Sequence, residues 1–315
     1  MLSRIGNSLF WLGRFIERAE HIARYTKVQY LSSLDAPLAQ DKDFVLESIL
    51  HMAGVTQSYY TKFTQLTEED VLNYIVLDEA NTLSLVSQIG FIRENARGTR
   101  DNISLELWEA INRYYHTING YNSNKLHSEG IHSFSEIVET NSSIIKGYID
   151  NTLIHNETWM LINLGIHMER AIQVGRILFT KIKDIEKLDT SKSAGAQANY
   201  QLTTMLKSAE SFDMFNRQYN TNINRRNSLD FLLFNSLFPK SIVYNLDVVR
   251  KNIESLDFNE QKGKGSIDFV VGKLAARYQF LTIEEVDSSI IDFLSETLSS
   301  VADVGRLLEE KYLAY

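Results

Sequence analysis

Apolar residues recur at alternating intervals of three and four along most of this chain, the spacing of one helical face. Leu2, Ile5, Leu9, Leu12, Ile16, Ala19 and Ala23 begin the pattern and predict a helix over residues 2–33, ending before Asp35-Ala36-Pro37. A second run covers 42–66, with Gly54 as its weak point. Thr67-Glu68-Glu69-Asp70 has capping-box chemistry and introduces an apolar segment, Val71 to Leu77, that reads as helical or extended. Helical spacing returns over 81–98, and Asp101 or Ser104 caps a further run through Ile118. Asn119 to Asn124 has loop chemistry, followed by helices over 129–153 and 157–183. A polar linker is expected over Asp189 to Gln197. Further runs cover 197–220, 225–236, 241–255, 266–280 and 284–312. The fold class is all-α.

One part of this pattern occurs twice. Leu12-Gly13-Arg14-Phe15-Ile16-Glu17-Arg18-Ala19, continuing to Arg24, returns as Leu164-Gly165-Ile166-His167-Met168-Glu169-Arg170-Ala171, continuing to Arg176. The offset is 152 (Glu17 to Glu169), with six identities in thirteen positions. A second block repeats at an offset of 157: Asn73 through Ser84 to Asn95 resembles Asp230 through Ser241 to Asn252. Two blocks in the same order predict a duplicated unit too long for a solenoid repeat. The expected architecture is a bundle-like single unit of two tandem halves, residues 1–152 and 153–315, related by a pseudo-twofold axis and sharing one core.

Composition narrows the function classes. Two prolines in 315 residues permit long helices. A net charge of −8 argues against a nucleic-acid partner, and Arg225-Arg226 and Lys262-Gly263-Lys264 read as solvated loop charge. Without cysteine there is no thiolate chemistry, in keeping with a cytoplasmic location. No apolar run approaches a membrane span, and Arg4, Arg14, Glu17 and Arg18 interrupt any signal-peptide core.

The chemistry of the repeated signature lies in its charges. Neighbouring helical residues point about 100° apart, so Glu17 and Arg18 serve different faces. Arg18 lies in a row with Trp11, Phe15 and Ile22, bordering the apolar face; Arg170 repeats the placement beside Asn163, His167 and Val174. A partly buried guanidinium requires a carboxylate or several carbonyls, and its planar fork suits a carboxylate. Glu17 shares a row with Phe10, Arg14, His21 and Arg24 and is expected to be held by one of those cations. Arg93, Glu94 and Arg97 form a third cluster that either joins this network or solvates a helix end. The candidate set is therefore Arg14, Glu17, Arg18, Arg93, Glu94, Arg97, Glu169 and Arg170. One reading makes these interhelical ion pairs that fix register; the other makes them line a pocket for an anionic ligand or a partner's carboxylate.

Other constellations carry less. Glu17, Glu20 and His21 depart from the Glu-x-x-His spacing of di-iron bundles, so no metal or cofactor is expected. Glu106 and Glu109 flank Trp108 at the spacing of surface acids, and Lys262 to Ser266 lacks the spacing of a phosphate loop.

The residues quoted for the signature, with Met1-Leu2-Ser3-Arg4 and Ser8-Leu9-Phe10-Trp11, resemble the start of the bacterial Alpha-E family. Ile92 to Arg97, Arg100 to Ser104 and Glu106 to Asn112 resemble its central block, and Phe238-Pro239-Lys240-Ser241-Ile242 with Leu246 its later segment. The Asp-Pro-rich lead into these blocks is eroded here, at Leu77-Asp78-Glu79-Ala80 and Asn235-Ser236. The resemblance implies an α-helical companion of circularly permuted ATP-grasp proteins and transglutaminase-like peptidases. It thereby implies an accessory, non-catalytic role in forming peptide or amide bonds, by binding the ligase or its peptide. The alternative is an enzyme of hydrolase or amidotransfer type that uses the Glu-Arg cluster in a pocket.

Overall fold

The computed structural model describes residues 3–35, 42–187, 194–256 and 263–313, and among them the regular structure is helical with no strand. The chain divides into two compact units, Trp11–Trp159 and Met1–Phe10 with Met160–Tyr315.

The Trp11–Trp159 unit contains most of α1 (Ser3–Asp35), then α2 (Lys42–Ala53), α3 (Thr56–Lys62) and α4 (Glu68–Val76). It continues through α5 (Leu85–Gly98), α6 (Leu105–Asn119) and α7 (Ser123–Thr152). The single run expected over 42–66 is two helices, because Gly54 takes a φ of 74° that ends α2. Val71 to Val76 is helical: the Thr67 hydroxyl accepts from the Asp70 N–H at 3.1 Å, and three acids in the first turn oppose the helix dipole. Ser104 caps α6, while Asp101 sits in a short 3₁₀ turn. The loop expected over 119–124 is shorter, because Asn122 caps α7 and the helix begins at Ser123. Gly130 (φ 79°, ψ 162°) then breaks α7, which is why the apolar pattern reads as starting at about that point. α5 packs on α6 and α6 on α7.

The second unit holds the start of α1, most of α8 (Glu157–Glu186), then α9 (Ala194–Ser208), α10 (Phe212–Tyr219) and α11 (Arg225–Phe234). It ends with α12 (Ile242–Ser255), α13 (Ile267–Phe280), α14 (Ile283–Val286) and α15 (Ile290–Leu308), the last running into a π-helical turn, Glu309–Leu313. The run expected over 197–220 splits where Glu210 adopts a φ of 51°, and the run over 284–312 splits between α14 and α15. Of the expected linker, residues 189–193 lie outside the described residues and 194–197 open α9. Lys262 is also outside them; Ser266, in the turn after it, caps α13. Arg225 and Arg226 are helical rather than loop residues, and they pair with Asp287 and Glu284. Inside this unit Lys181 is fully buried, 3.1 Å from Asp184 and 2.9 Å from Gln201. Among the described residues no helix is long and apolar enough to cross a membrane.

The turns before α5 and α12 share one local geometry. Asp78 Oδ1 accepts from the Ala80 N–H at 3.0 Å, and Asn235 Oδ1 from the Leu237 N–H at 2.9 Å. The Gln88 side-chain amide donates to the Thr82 carbonyl, as the Asn245 amide does to that of Pro239. Ser84 and Ser241 each cap the following helix, accepting from Ser87 N and Tyr244 N at 3.3 and 3.2 Å. Without the Asp-Pro lead, the Asp or Asn side chain still closes the start of each turn, and the Gln88 or Asn245 amide holds its far side.

Candidate functional site

The inward side of α1 in the Trp11–Trp159 unit is unusually polar. Glu17, Glu20, His21, Arg24, Thr26 and Gln29 are all buried. Buried carboxylates persist only with cations and hydrogen-bond donors beside them. α7 supplies one of them: Lys146 Nζ bonds Glu20 Oε2 and lies 3.4 Å from Glu17 Oε2. Arg24, one turn beyond Glu20 on α1, donates to Glu20 Oε1 at 2.7 Å and lies 3.3 Å from Glu139 of α7. Lys27 completes the row, 2.6 Å from Glu139. His21 Nδ1 is 3.0 Å from the Glu17 carbonyl oxygen and 3.5 Å from its carboxylate. Three carboxylates thus face three cations between α1 and α7, and the Ser135 hydroxyl adds a 3.1 Å bond to the Ala23 carbonyl.

Two other arginines of the signature, Arg14 and Arg18, lie elsewhere on the helix. Arg14 and Arg18 are half-buried. The Arg14 guanidinium stands 4.6 Å from the Trp11 ring centre, and that of Arg18 5.8 Å from both Trp11 and Phe15. Phe15 in turn contacts Phe91 of α5, so this face is an aromatic–guanidinium stack. Arg93 donates to Asn112 at 2.9 Å and covers Tyr115 of α6. Glu94 and Arg97 pair with each other at 2.5 Å on an exposed turn. Arg93 and Arg97 are thus gathered around Glu94, whereas Glu17 is gathered with Lys146.

In the second unit Glu169 repeats the full burial of Glu17. It accepts at 2.6 Å from Gln173, which occupies the position of His21 in the repeat. Arg170 is half-buried, like Arg18, and His167 Nδ1 lies 2.7 Å from Asn245 Oδ1 of α12.

Several of these partners carry no mark in the sequence. Glu20 and Arg24 sit in the signature helix, at a spacing that favours an ion pair. Glu139 and Lys146 lie in an ordinary amphipathic stretch more than a hundred residues away, and only packing brings them in. Among the described residues no group of three or more His, Asp and Glu side chains is placed to hold a metal ion. Glu106 and Glu109 are exposed on α6. What the α1–α7 arrangement does well is fix two helices in one register, because each carboxylate is engaged from a defined direction.

Residues 1–313 match the family model Alpha-E, a predicted α-helical domain with a conserved ER motif. The chain also matches uncharacterized proteins of Mycobacterium bovis and Mycobacterium tuberculosis, each 21% identical over 335 residues that include 99% of this chain. It spans only 37% of the length of those relatives. No solved structure matches it.

Proposed function

Because this chain belongs to the Alpha-E family, we propose that it is a non-catalytic, accessory protein of an ATP-dependent peptide- or amide-bond-forming system. Its partners in this reading are a circularly permuted ATP-grasp ligase and a transglutaminase-like peptidase, and its task is to bind the ligase or the ligase's peptide. The observation that carries the reading is the 37% coverage: in the mycobacterial relatives a matching segment is joined to a larger remainder. A helical module built to work beside another polypeptide fits that arrangement. The buried carboxylates support it too, because Glu17, Glu20 and Glu169 point inward onto fixed partners rather than toward a solvent-borne substrate. The test is co-purification with an ATP-grasp protein, followed by ATP turnover with and without this chain. Binding with altered turnover is expected. Failure to bind, together with peptide or amide turnover by this chain alone, would overturn the reading in favour of an enzyme.

We further propose that the chain is two related halves, residues 1–152 and 153–315, with one shared core, working in the cytoplasm. The matching turns at Asp78 and Asn235 and the equal burial of Glu17 and Glu169 support the relationship. Expressed as two separate chains, the halves should assemble into a one-to-one complex. Two halves that each melt cooperatively alone and ignore one another would refute the shared core.

A further inference from the structure

The Trp11–Trp159 unit contains a two-lobed cleft away from the Glu-Arg signature. One lobe, of about 270 Å³, is walled by Leu72, Leu126 and Ile131, with Glu69 and His127 on its border. The other, of about 210 Å³, is walled by Leu34, Val45 and Leu46 and reaches Lys42. Both lobes share Tyr30 and Glu68. The Tyr30 hydroxyl donates to Glu68 Oε1 at 2.7 Å, and Lys42 Nζ lies 2.6 Å from Oε2.

This is a carboxylate between apolar walls, and the chain itself shows what the carboxylate accepts. Lys42 places a primary ammonium on Glu68 while 66% of its side chain remains exposed. Ion pairs this open are worth little, so another ammonium can replace it at small cost. An incoming alkyl chain seated in the lobes also gains more apolar contact along their walls than the largely exposed stem of Lys42 makes. Burial alone would raise the Glu68 carboxyl, but hydrogen bonds from Lys42 and Tyr30 and the nearby Lys42 and His127 charges outweigh it and hold it low. Burial and the Glu68 bond push Tyr30 up to about 12, so it stays a neutral donor.

We propose that this cleft binds a primary alkylammonium, as carried by a lysine side chain or a free alkyl amine, which takes the place of Lys42 on Glu68. The inference is independent of the accessory reading above.

Titration calorimetry on the full chain would use three probes: Nα-acetyl-lysine amide, Nα-acetyl-norleucine amide, which has the same carbon chain without the ammonium, and pentylamine. The charged probes should bind at least tenfold more tightly than the norleucine probe, and less tightly as salt is raised. Tighter binding of the capped lysine identifies a polypeptide source, and tighter or equal binding of pentylamine a free amine; either supports the site. Glu68→Gln should weaken amine binding at least tenfold. The distinguishing variant is Lys42→Met, which removes the internal competitor at an exposed position that does not threaten folding. It should tighten amine binding several-fold. Unchanged or weaker binding in Lys42→Met, or norleucine binding as well as lysine, overturns the proposal.

Discussion

Replacing Lys146 with methionine isolates the central interaction of the α1–α7 network. The substitution keeps an apolar stem as far as Cε and deletes the ammonium that serves Glu17 and Glu20, which are 0% and 2% exposed. Arg24 still holds Glu20 and His21 still flanks Glu17, so the carboxylates lose one shared cation rather than every neighbour. Removing one partner of a buried pair typically costs about 3–5 kcal/mol. The 19% exposure of Lys146 lets water reach the site and argues for the lower end, about 3 kcal/mol. At about 2–4 °C per kcal/mol for a unit of this size, the melting temperature should fall by roughly 6–12 °C. Urea unfolding followed by far-UV circular dichroism supplies the free energy independently. Arg97→Ala is the control: its pair with Glu94 is exposed, and losing it should cost less than about 1 kcal/mol. If Lys146→Met melts within about 2 °C of the parent, the two carboxylates do not depend on Lys146 and the network is not what holds α1 to α7.

Gly130→Ala should destabilise by about 1–3 kcal/mol in urea unfolding, because its φ of 79° and ψ of 162° suit glycine alone. A methyl group there meets nothing within 4 Å, so an undiminished midpoint would mean the backbone relaxes freely. Ser84→Ala and Ser241→Ala should each cost about 1 kcal/mol and by similar amounts, since both remove the same cap; unequal losses would separate the two turns. Burial, and then the bonds to Glu68 and Glu129, push Tyr30 and Tyr121 up to about 12. Folding thus favours their neutral forms; that contribution is complete below the unfolded value near 10 and is lost as pH rises toward 12. Ultraviolet titration should show both phenols ionising late, and normal ionisation near pH 10 would contradict their placement.

Apolar spacing was enough to find the helices, because a helix that buries one stripe repeats it every three or four residues. It was blind to breaks made by the backbone. Gly54 announced itself as a weak point and the spacing begins only at about the Gly130 break, so α7's first turns went unseen, while Glu210 interrupts a run whose spacing continues across it. The charged site was legible only in part. The repeat singles out Glu17, Arg18, Glu169 and Arg170, and side-chain spacing places glutamate and arginine on different faces. It does not say which face is sealed: the carboxylates are enclosed, while Arg14 and Arg18 lie against aromatic rings. Lys146 could not be found from one sequence, since a lysine on an amphipathic helix looks the same whether its ammonium ends in water or on two glutamates.

The distance between those partners along the chain has a consequence for synthesis. Lys146 follows Glu17 by 129 residues and Glu20 by 126. A ribosome adding about 5–20 residues per second leaves α1 without that lysine for roughly 6–25 s. During that interval enclosing the helix would strand both carboxylates with Arg24 and His21 as neighbours, so the nascent helix gains more by staying hydrated. α1 emerges ahead of α7 by that interval, which makes an amphipathic helix with two carboxylates on its inward side the segment of this unit most in need of a chaperone's shelter.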